Sequence, residues 1–369
     1  MSKIITAEQV SRGHVDKICD QVADAIVTDC LHYDKDSRVA IECLMKGNNF
    51  VIAGEITSDH DPDYAELVYQ VFCDIGLDDI FDDVRLDVHV TKQSSDIALG
   101  VDKGGAGDQG IMYGYATNET SELLPIPFAV ATRFINLLEH TANPMLLPDA
   151  KAQVSFDYDT GRITTFLCSV QHTDDCDVED FRPFIEGLMI VAAGEYCLNS
   201  DFEKLINPTG RFVIGGSQAD TGVTGRKLAC DTYGGIGRIG GGALSGKDPS
   251  KVDRSGAYMA RRIAVDMVRA GYCDKCEVQL AYAIGKSEPV SVTVDTFGTS
   301  TVCPRCIDAF IADNYDLTPA GIINGLKLRR PIYEKTAAYG HFGRNGKDFT
   351  WEKTNMVKAL KEEVGKLVK

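Results

Sequence analysis

Cys230 to Arg254, CDTYGGIGRIGGGALSGKDPSKVDR, is the stretch that most limits how this chain can fold. Seven glycines fall between Gly234 and Gly246. Glycine loses the most backbone freedom on ordering, so a run this dense is neither helix nor strand. It is a loop that regular elements must carry. Its backbone can take positive φ, approach a ligand closely and aim successive N–H groups at an anion.

Basic residues gather around it. Arg226, Lys227, Arg238, Lys247, Lys251, Arg254, Arg261 and Arg262 stand against Asp231, Asp248 and Asp253, a local excess of five positive charges in a chain of net charge −16. That contrast predicts binding of a small polyanion such as a nucleotide polyphosphate. Gly235-Ile-Gly237-Arg-Ile-Gly240 matches a dinucleotide fingerprint in letters only. No strand run precedes it, and the glycines continue where a helix should begin. Ser245-Gly246-Lys247 leads into Asp248-Pro249, so it is not a Walker loop either.

At 369 residues the chain has room for two or three domains or one composite unit. No apolar run reaches the roughly 18 residues of a membrane span. The start, MSKIITAEQV, lacks the apolar core of a signal peptide, and a cytoplasmic protein is expected. A pI near 4.9 argues against non-specific nucleic-acid binding. Twelve cysteines are scattered through the chain and read as reduced thiols. Two C-x2-C pairs, Cys273/Cys276 and Cys303/Cys306, have a zinc-like spacing, but the interval between them reads as two strands.

Periodicity predicts a helix over 16–31, with Ile18, Val22, Ala25 and Ile26 on one face and Ser11 available as a cap. Strands follow at 38–45 and 50–57, each carrying one carboxylate, Glu42 and Glu55. These face water or point into a site. Asp61-Pro62 opens a helix, and a period-2 strand runs over 84–90. Ser94 to Gly110 reads as a glycine-rich candidate lid. Further helices are predicted at 127–142, 178–193, 255–270, 307–314, 318–326 and 352–369. Further strands are predicted at 151–158, 162–172, 211–214, 277–284 and 290–297. Sheet-plus-helix units recur three times, an α+β chain with mixed sheets covered by helices on one face.

Four segments resemble the S-adenosylmethionine synthetases: GAGDQGIMYGYATNET (105–120), NPTGRFVIGG (207–216), GGGALSGKDPSKVDRS (240–255) and TAAYGHFGR (336–344). The resemblance runs from about residue 4 to about residue 354. It implies a subunit of three similar parts in pseudo-threefold arrangement, with subdomains at 1–98, 105–214 and 215–354 and a tail helix at 355–369. It implies a methionine adenosyltransferase acting on ATP and L-methionine with two Mg2+ and one K+, assembled as a homodimer or homotetramer with sites between subunits. Neither nucleic acid nor membrane is an expected partner.

The resemblance also assigns residues. His14, Lys151, Arg226, Lys227 and Lys247 would serve the phosphates and the departing oxygen. Asp108, Asp149 and Phe212 would complete the ATP site. Glu55, Gln93, Asp220, Lys251 and Ile284 would hold methionine. Asp16 and Asp253 would bind Mg2+, and Glu42 would serve K+. Taken singly, His14 reads as a helix cap and Phe212 as core. The chain departs from the family at Arg12, where a glutamate is usual, at Val15, where proline is usual, and at Ile239, where histidine is common. The segment from Ser94 to Gly105 is shorter than in many relatives.

Overall fold

The computed structural model describes residues 3–93 and 104–367, so the candidate lid lies largely outside the described residues. The chain runs β1 (Ile4–Val10), α1 (Val15–Tyr33), β2 (Arg38–Lys46), β3 (Asn49–Thr57), α2 (Tyr64–Ile75), β4 (Arg85–Thr91) and β5 (Gly110–Thr117). It continues with α3 (Ile126–His140), β6 (Leu146–Asp157), β7 (Arg162–His172), α4 (Val178–Glu195), β8 (Glu203–Ile206), α5 (Gly216–Ala219), β9 (Gly222–Val223) and α6 (Leu228–Asp231). The last elements are α7 (Val252–Ala270), β10 (Lys275–Tyr282), β11 (Ser291–Asp295), α8 (Pro304–Asn314), α9 (Pro319–Gly325) and α10 (Val357–Leu367).

These strands make three sheets, ordered β1-β6-β7-β8, β4-β3-β2-β9 and β11-β10-β5. The first packs on α3, itself packed on α4; the second on α1, with α2 against it; the third on α7. This is the expected α+β class. The β3–β4 and β7–β8 pairs are parallel, and each is joined by a helical crossover. The other named pairs are antiparallel.

The sheets are not cut where the sequence is cut. β1 leaves its neighbours and pairs with β6, from Ile4↔Asp157 to Val10↔Lys151. β5 pairs with β10, from Lys275↔Thr117 to Tyr282↔Gly110. Side-chain alternation sets which face is buried. On β2, Val39, Ile41, Cys43 and Met45 are buried, while Glu42 and Leu44 face outward. Each fully buried aliphatic side chain contributes about 1.5–3 kcal/mol. One core joins α1, α7 and the second and third sheets; another lies beneath the first sheet.

Several expected details differ. Ser11 does not cap α1, because Val15 is its first residue and His14 occupies the cap. Ser11 instead donates to Pro148 O and accepts from Ala150 N, both at 2.7 Å, fastening the start of α1 to β6. The cap of α2 is Asp63, which accepts from Glu66 N at 3.1 Å; Asp61 lies too far upstream. Residues 211–214 are not a strand, and the short strand is β8. The tail helix begins at Val357, because residues 350–352 form a separate single turn.

Candidate active site

The site is built on α1. Asp16, Asp20 and Asp24 recur every four residues and so share one helix face. Each carboxylate holds a backbone N–H of a glycine-rich loop. Asp16 Oδ1 accepts from Val223 N at 2.9 Å, Asp20 Oδ1 from Gly225 N at 2.8 Å and Asp24 Oδ1 from Gly246 N at 2.9 Å. The second oxygens take cations. Lys227 Nζ meets Asp16 at 2.5 Å, Lys17 Nζ meets Asp20 at 2.9 Å, and Arg254 Nη2 meets Asp24 at 2.7 Å. Lys17 also donates to Asp231 at 2.6 Å. Burial pushes the Asp20 carboxyl up to about 7, against the pull of Lys17. Lys17, Asp231 and Arg254 are all buried, so these links hold the loops rather than bind a ligand.

A first cluster forms at the N-terminal end of α1. It gathers His14, Asp16, Asp149, Lys151, Asp220, Arg226 and Lys227. Burial, then Lys227 and Lys151, lowers the His14 pKa to about 4, so the ring is neutral at pH 7. Its Nδ1 accepts from Asp16 N at 3.1 Å. The proton of the neutral ring therefore sits on Nε2, which is a donor. Asp149 Oδ2 accepts from Gly216 N at 2.9 Å. Its buried Oδ1 has no partner among the described residues, and burial raises this carboxyl. Asp220 is pulled down, first by Thr221 N–H and then by Arg226, Lys151 and His14. Phe212 is clamped beside β7, where its N donates to His172 Nε2 at 3.1 Å and its O accepts from His172 N at 2.9 Å.

A second cluster forms where the glycine run meets β2 and α7. Lys247 Nζ donates to Asp253 Oδ2, and Lys251 Nζ to Asp248 Oδ2, both at 2.6 Å. Asp248 anchors the loop by accepting from Val39 N at 2.7 Å. Two glycines are required by close approach. A Cβ on Gly242 would lie 2.1 Å from the Asp253 carboxyl carbon, and one on Gly246 (φ +81°) would lie 2.0 Å from Ile41 O. Lys247 bridges Ala40, and Ala40 is the cross-strand partner of Glu55. Gln93 is near, with its N donating to Thr57 Oγ1 at 3.2 Å. Asp108 is exposed on a segment held to residues 285–286 through Ala106, which places Ile284 alongside. Glu42 is exposed midway along β2, between the two clusters. The Asp16-to-Asp24 spacing puts the clusters about 12 Å apart along α1.

The carboxylates fit Mg2+ in one specific way. Asp16 and Asp253 each carry an oxygen paired to a lysine, and among the described residues no group of three or more His, Cys, Asp or Glu could enclose a metal ion. Mg2+ is commonly held by one or two carboxylates plus substrate phosphates, which suits this arrangement. Glu42 offers a single outward carboxylate, compatible with a cation that other groups complete. Sequence reasoning did not assign the aspartate ladder beyond Asp16. Its signal was present: three aspartates at helical spacing in a segment with an apolar periodicity.

Three family models match the chain: S-adenosylmethionine synthetase N-terminal domain over residues 2–96, central domain over 103–212 and C-terminal domain over 214–353. An S-adenosylmethionine synthase of Mesoplasma florum is 46% identical, over 98% of this chain and 100% of that protein. One of Mycoplasma capricolum subsp. capricolum is 45% identical, over 98% of this chain and 97% of that protein. With all three domains matched and relatives this similar along nearly its whole length, the chain belongs to the S-adenosylmethionine synthetase family, whose members are methionine adenosyltransferases.

Proposed function

We propose that the chain makes S-adenosyl-L-methionine from ATP, L-methionine and water by attack of the methionine sulfur on C5′ of ATP. Triphosphate leaves and is hydrolysed to phosphate and pyrophosphate before product departs. The observation that carries this reading is the neutral, buried His14 set among Lys151 and Lys227 beside Asp16. A thioether has no proton to lose, so the sulfur needs no general base. The barrier lies in alignment and in charge growing on the leaving oxygen.

In this reading Nε2–H of His14 donates to that oxygen as negative charge develops there. Lys151, Arg226, Lys227 and Lys247 hold the phosphates. Lys227 and Lys247 each exchange a carboxylate partner for phosphate oxygens. Asp16 and Asp253 would hold the two Mg2+ ions, which would neutralise charge on the triphosphate, and Glu42 would serve K+. Asp149 and Asp108 take polar atoms of the nucleotide, while Phe212 walls the adenine. Glu55, Gln93, Asp220 and Lys251 receive the ammonium and carboxylate of methionine, with Ile284 as an apolar wall.

Each site lies between two copies of the chain, the first cluster of one facing the second cluster of the other. The exposed apolar side chains on the uncovered sheet faces support this, Leu44 on β2, Ile111 on β5 and Val292 on β11. Among the described residues no helix is long and apolar enough to cross a membrane, and the cytoplasm is the proposed location. The subdomain limits are proposed at 1–98, 105–214 and 215–354, with the tail at 355–369.

The test is mass-spectrometric detection of product from ATP, L-methionine, Mg2+ and K+, with phosphate release followed alongside. A sulfonium product with equal phosphate and pyrophosphate is expected. Phosphate release independent of methionine, with no sulfonium, would mean a polyphosphate hydrolase.

A further inference from the structure

The two C-x2-C pairs have the same spacing and opposite surroundings. Cys273 and Cys276 are buried, 3% and 0% exposed, at the end of α7 and in β10. The Cys276 thiol is pushed well up by its contact with Cys273 and by burial, which leaves it inert. Cys303 and Cys306 stand instead at the surface. Cys303 is the cap of α8 and is exposed; Cys306 is half-buried in its first turn. Cys306 N donates to Cys303 O at 3.0 Å, closing the turn so that both sulfurs fall on one side and touch. The group set around Cys303 favours a thiolate. Contact with Cys306 comes first, then the backbone N–H groups of Cys306 and Arg305 and the Arg305 charge, and together they pull Cys303 down. Among the described residues no further His, Cys, Asp or Glu joins this pair to make a metal cage.

From this juxtaposition we infer that Cys303 and Cys306 form a thiol–disulfide exchange site that reacts with low-molecular-weight disulfides. Cys303 is the attacking sulfur because it is exposed and sits at the helix cap. Its thiolate attacks one sulfur of the external disulfide, forming a mixed disulfide and expelling one thiolate, which takes a proton from water. Cys306 then loses its proton and attacks the Cys303 sulfur. The second external thiolate leaves with that proton. Two electrons pass from the protein pair to the external disulfide, which ends as two thiols. The site is remote from the phosphate clusters. The segment leading into α8 is tied to the far end of α7, where Thr301 N donates to Tyr272 O at 2.7 Å. Asp253 lies at the opposite end of that 19-residue helix, roughly 27 Å away.

The experiment uses the full-length reduced protein with excess oxidised glutathione at pH 7. Iodoacetamide quenching and peptide mass spectrometry follow. The 303–306 peptide is expected to lose the mass of two hydrogens and to escape alkylation. Exposed Cys73 and Cys197 should remain alkylatable or carry glutathione only. Cys306→Ser should trap glutathione on Cys303, and Cys303→Ser should leave Cys306 alkylatable. Three outcomes would each overturn the inference: both thiols still alkylatable after Cys73 has reacted, no adduct in Cys306→Ser, or equal trapping on Cys306 in Cys303→Ser.

Discussion

Removing the charge of Asp24 should strain the chain more than any exposed substitution. Asp24 is fully buried and binds three groups: Gly246 N, Arg254 Nη2 and Thr336 Oγ1 at 3.2 Å. Arg254 is equally buried, its Nε has no partner among the described residues, and its guanidinium lies 4.4 Å from the centre of the Tyr333 ring. Asp24→Asn keeps an oxygen for Gly246 N but leaves a guanidinium in the interior without its anion. Breaking such a pair from one side costs about 3–5 kcal/mol. Against a typical total of about 5–15 kcal/mol, that is a large fraction of the fold. Arg254→Met should lose a comparable amount by stranding the carboxylate. The double variant has no unpaired charge and should recover about 2–3 kcal/mol relative to the sum of the singles. Urea unfolding followed by far-ultraviolet circular dichroism, at one fixed protein concentration, reads all four proteins. Single losses below about 1 kcal/mol, or strictly additive losses, would refute the claim that Asp24 holds the glycine loop through a buried ion pair.

Four other outcomes are expected. Lys247→Met should keep the fold and lose at least about a hundredfold in turnover, because a phosphate donor is removed from the leaving group; a near-normal rate would rule out that role. Asp253→Asn should raise the Mg2+ concentration needed for half-maximal rate, and an unchanged Mg2+ titration would remove Asp253 as a ligand. Co-expressed His14→Asn and Lys247→Met chains, each inactive alone, should recover about a quarter of wild-type activity, since half of the pairs are mixed and each has one intact site; no recovery would mean both clusters serve one site within a chain. His14 has a folded pKa of about 4 against its ordinary 6.5, so it favours the folded state above 6.5 and that contribution fades as pH falls through 4. The gap corresponds to about 3 kcal/mol, and His14→Gln should flatten the stability–pH slope of the ligand-free protein in that window.

What could be read in advance followed the reach of the signal. The buried stripe of α1 and the alternation of β2 and β7 are local patterns, and each element formed within a few residues of expectation. Ser11 misled because a hydroxyl just before a helix fits either a cap or a tether, and only the position of Pro148 decides. Phe212-Val-Ile looks like a strand, yet its pairing is limited to His172 and Gln171, so no ladder extends. Asp20 and Asp24 were opaque for a different reason. Their partners Gly225 and Gly246 lie 205 and 222 residues away, and an isolated helical carboxylate has a solvated face as its ordinary reading. The resemblance supplied the site residues together, but the division into two clusters emerged only from the pairing of Lys247 with Ala40 and of Asp16 with Val223.

The placement of β1 bears on how the chain is made. The first strand is made well before its ladder partner, which spans residues 146–157. At about 5–20 residues per second, the β1 edge waits on the order of ten seconds with no partner. Nascent Ile4–Val10 is then an open strand edge, the kind that pairs with other chains. Its alternating Thr6 and Glu8, both outward in the finished sheet, keep that edge polar while it waits. A truncated chain that ends before β6 would leave the edge permanently unpaired, so the N-terminal third of this protein should aggregate when expressed alone, whatever the stability of α1 and the sheet of β2, β3 and β4.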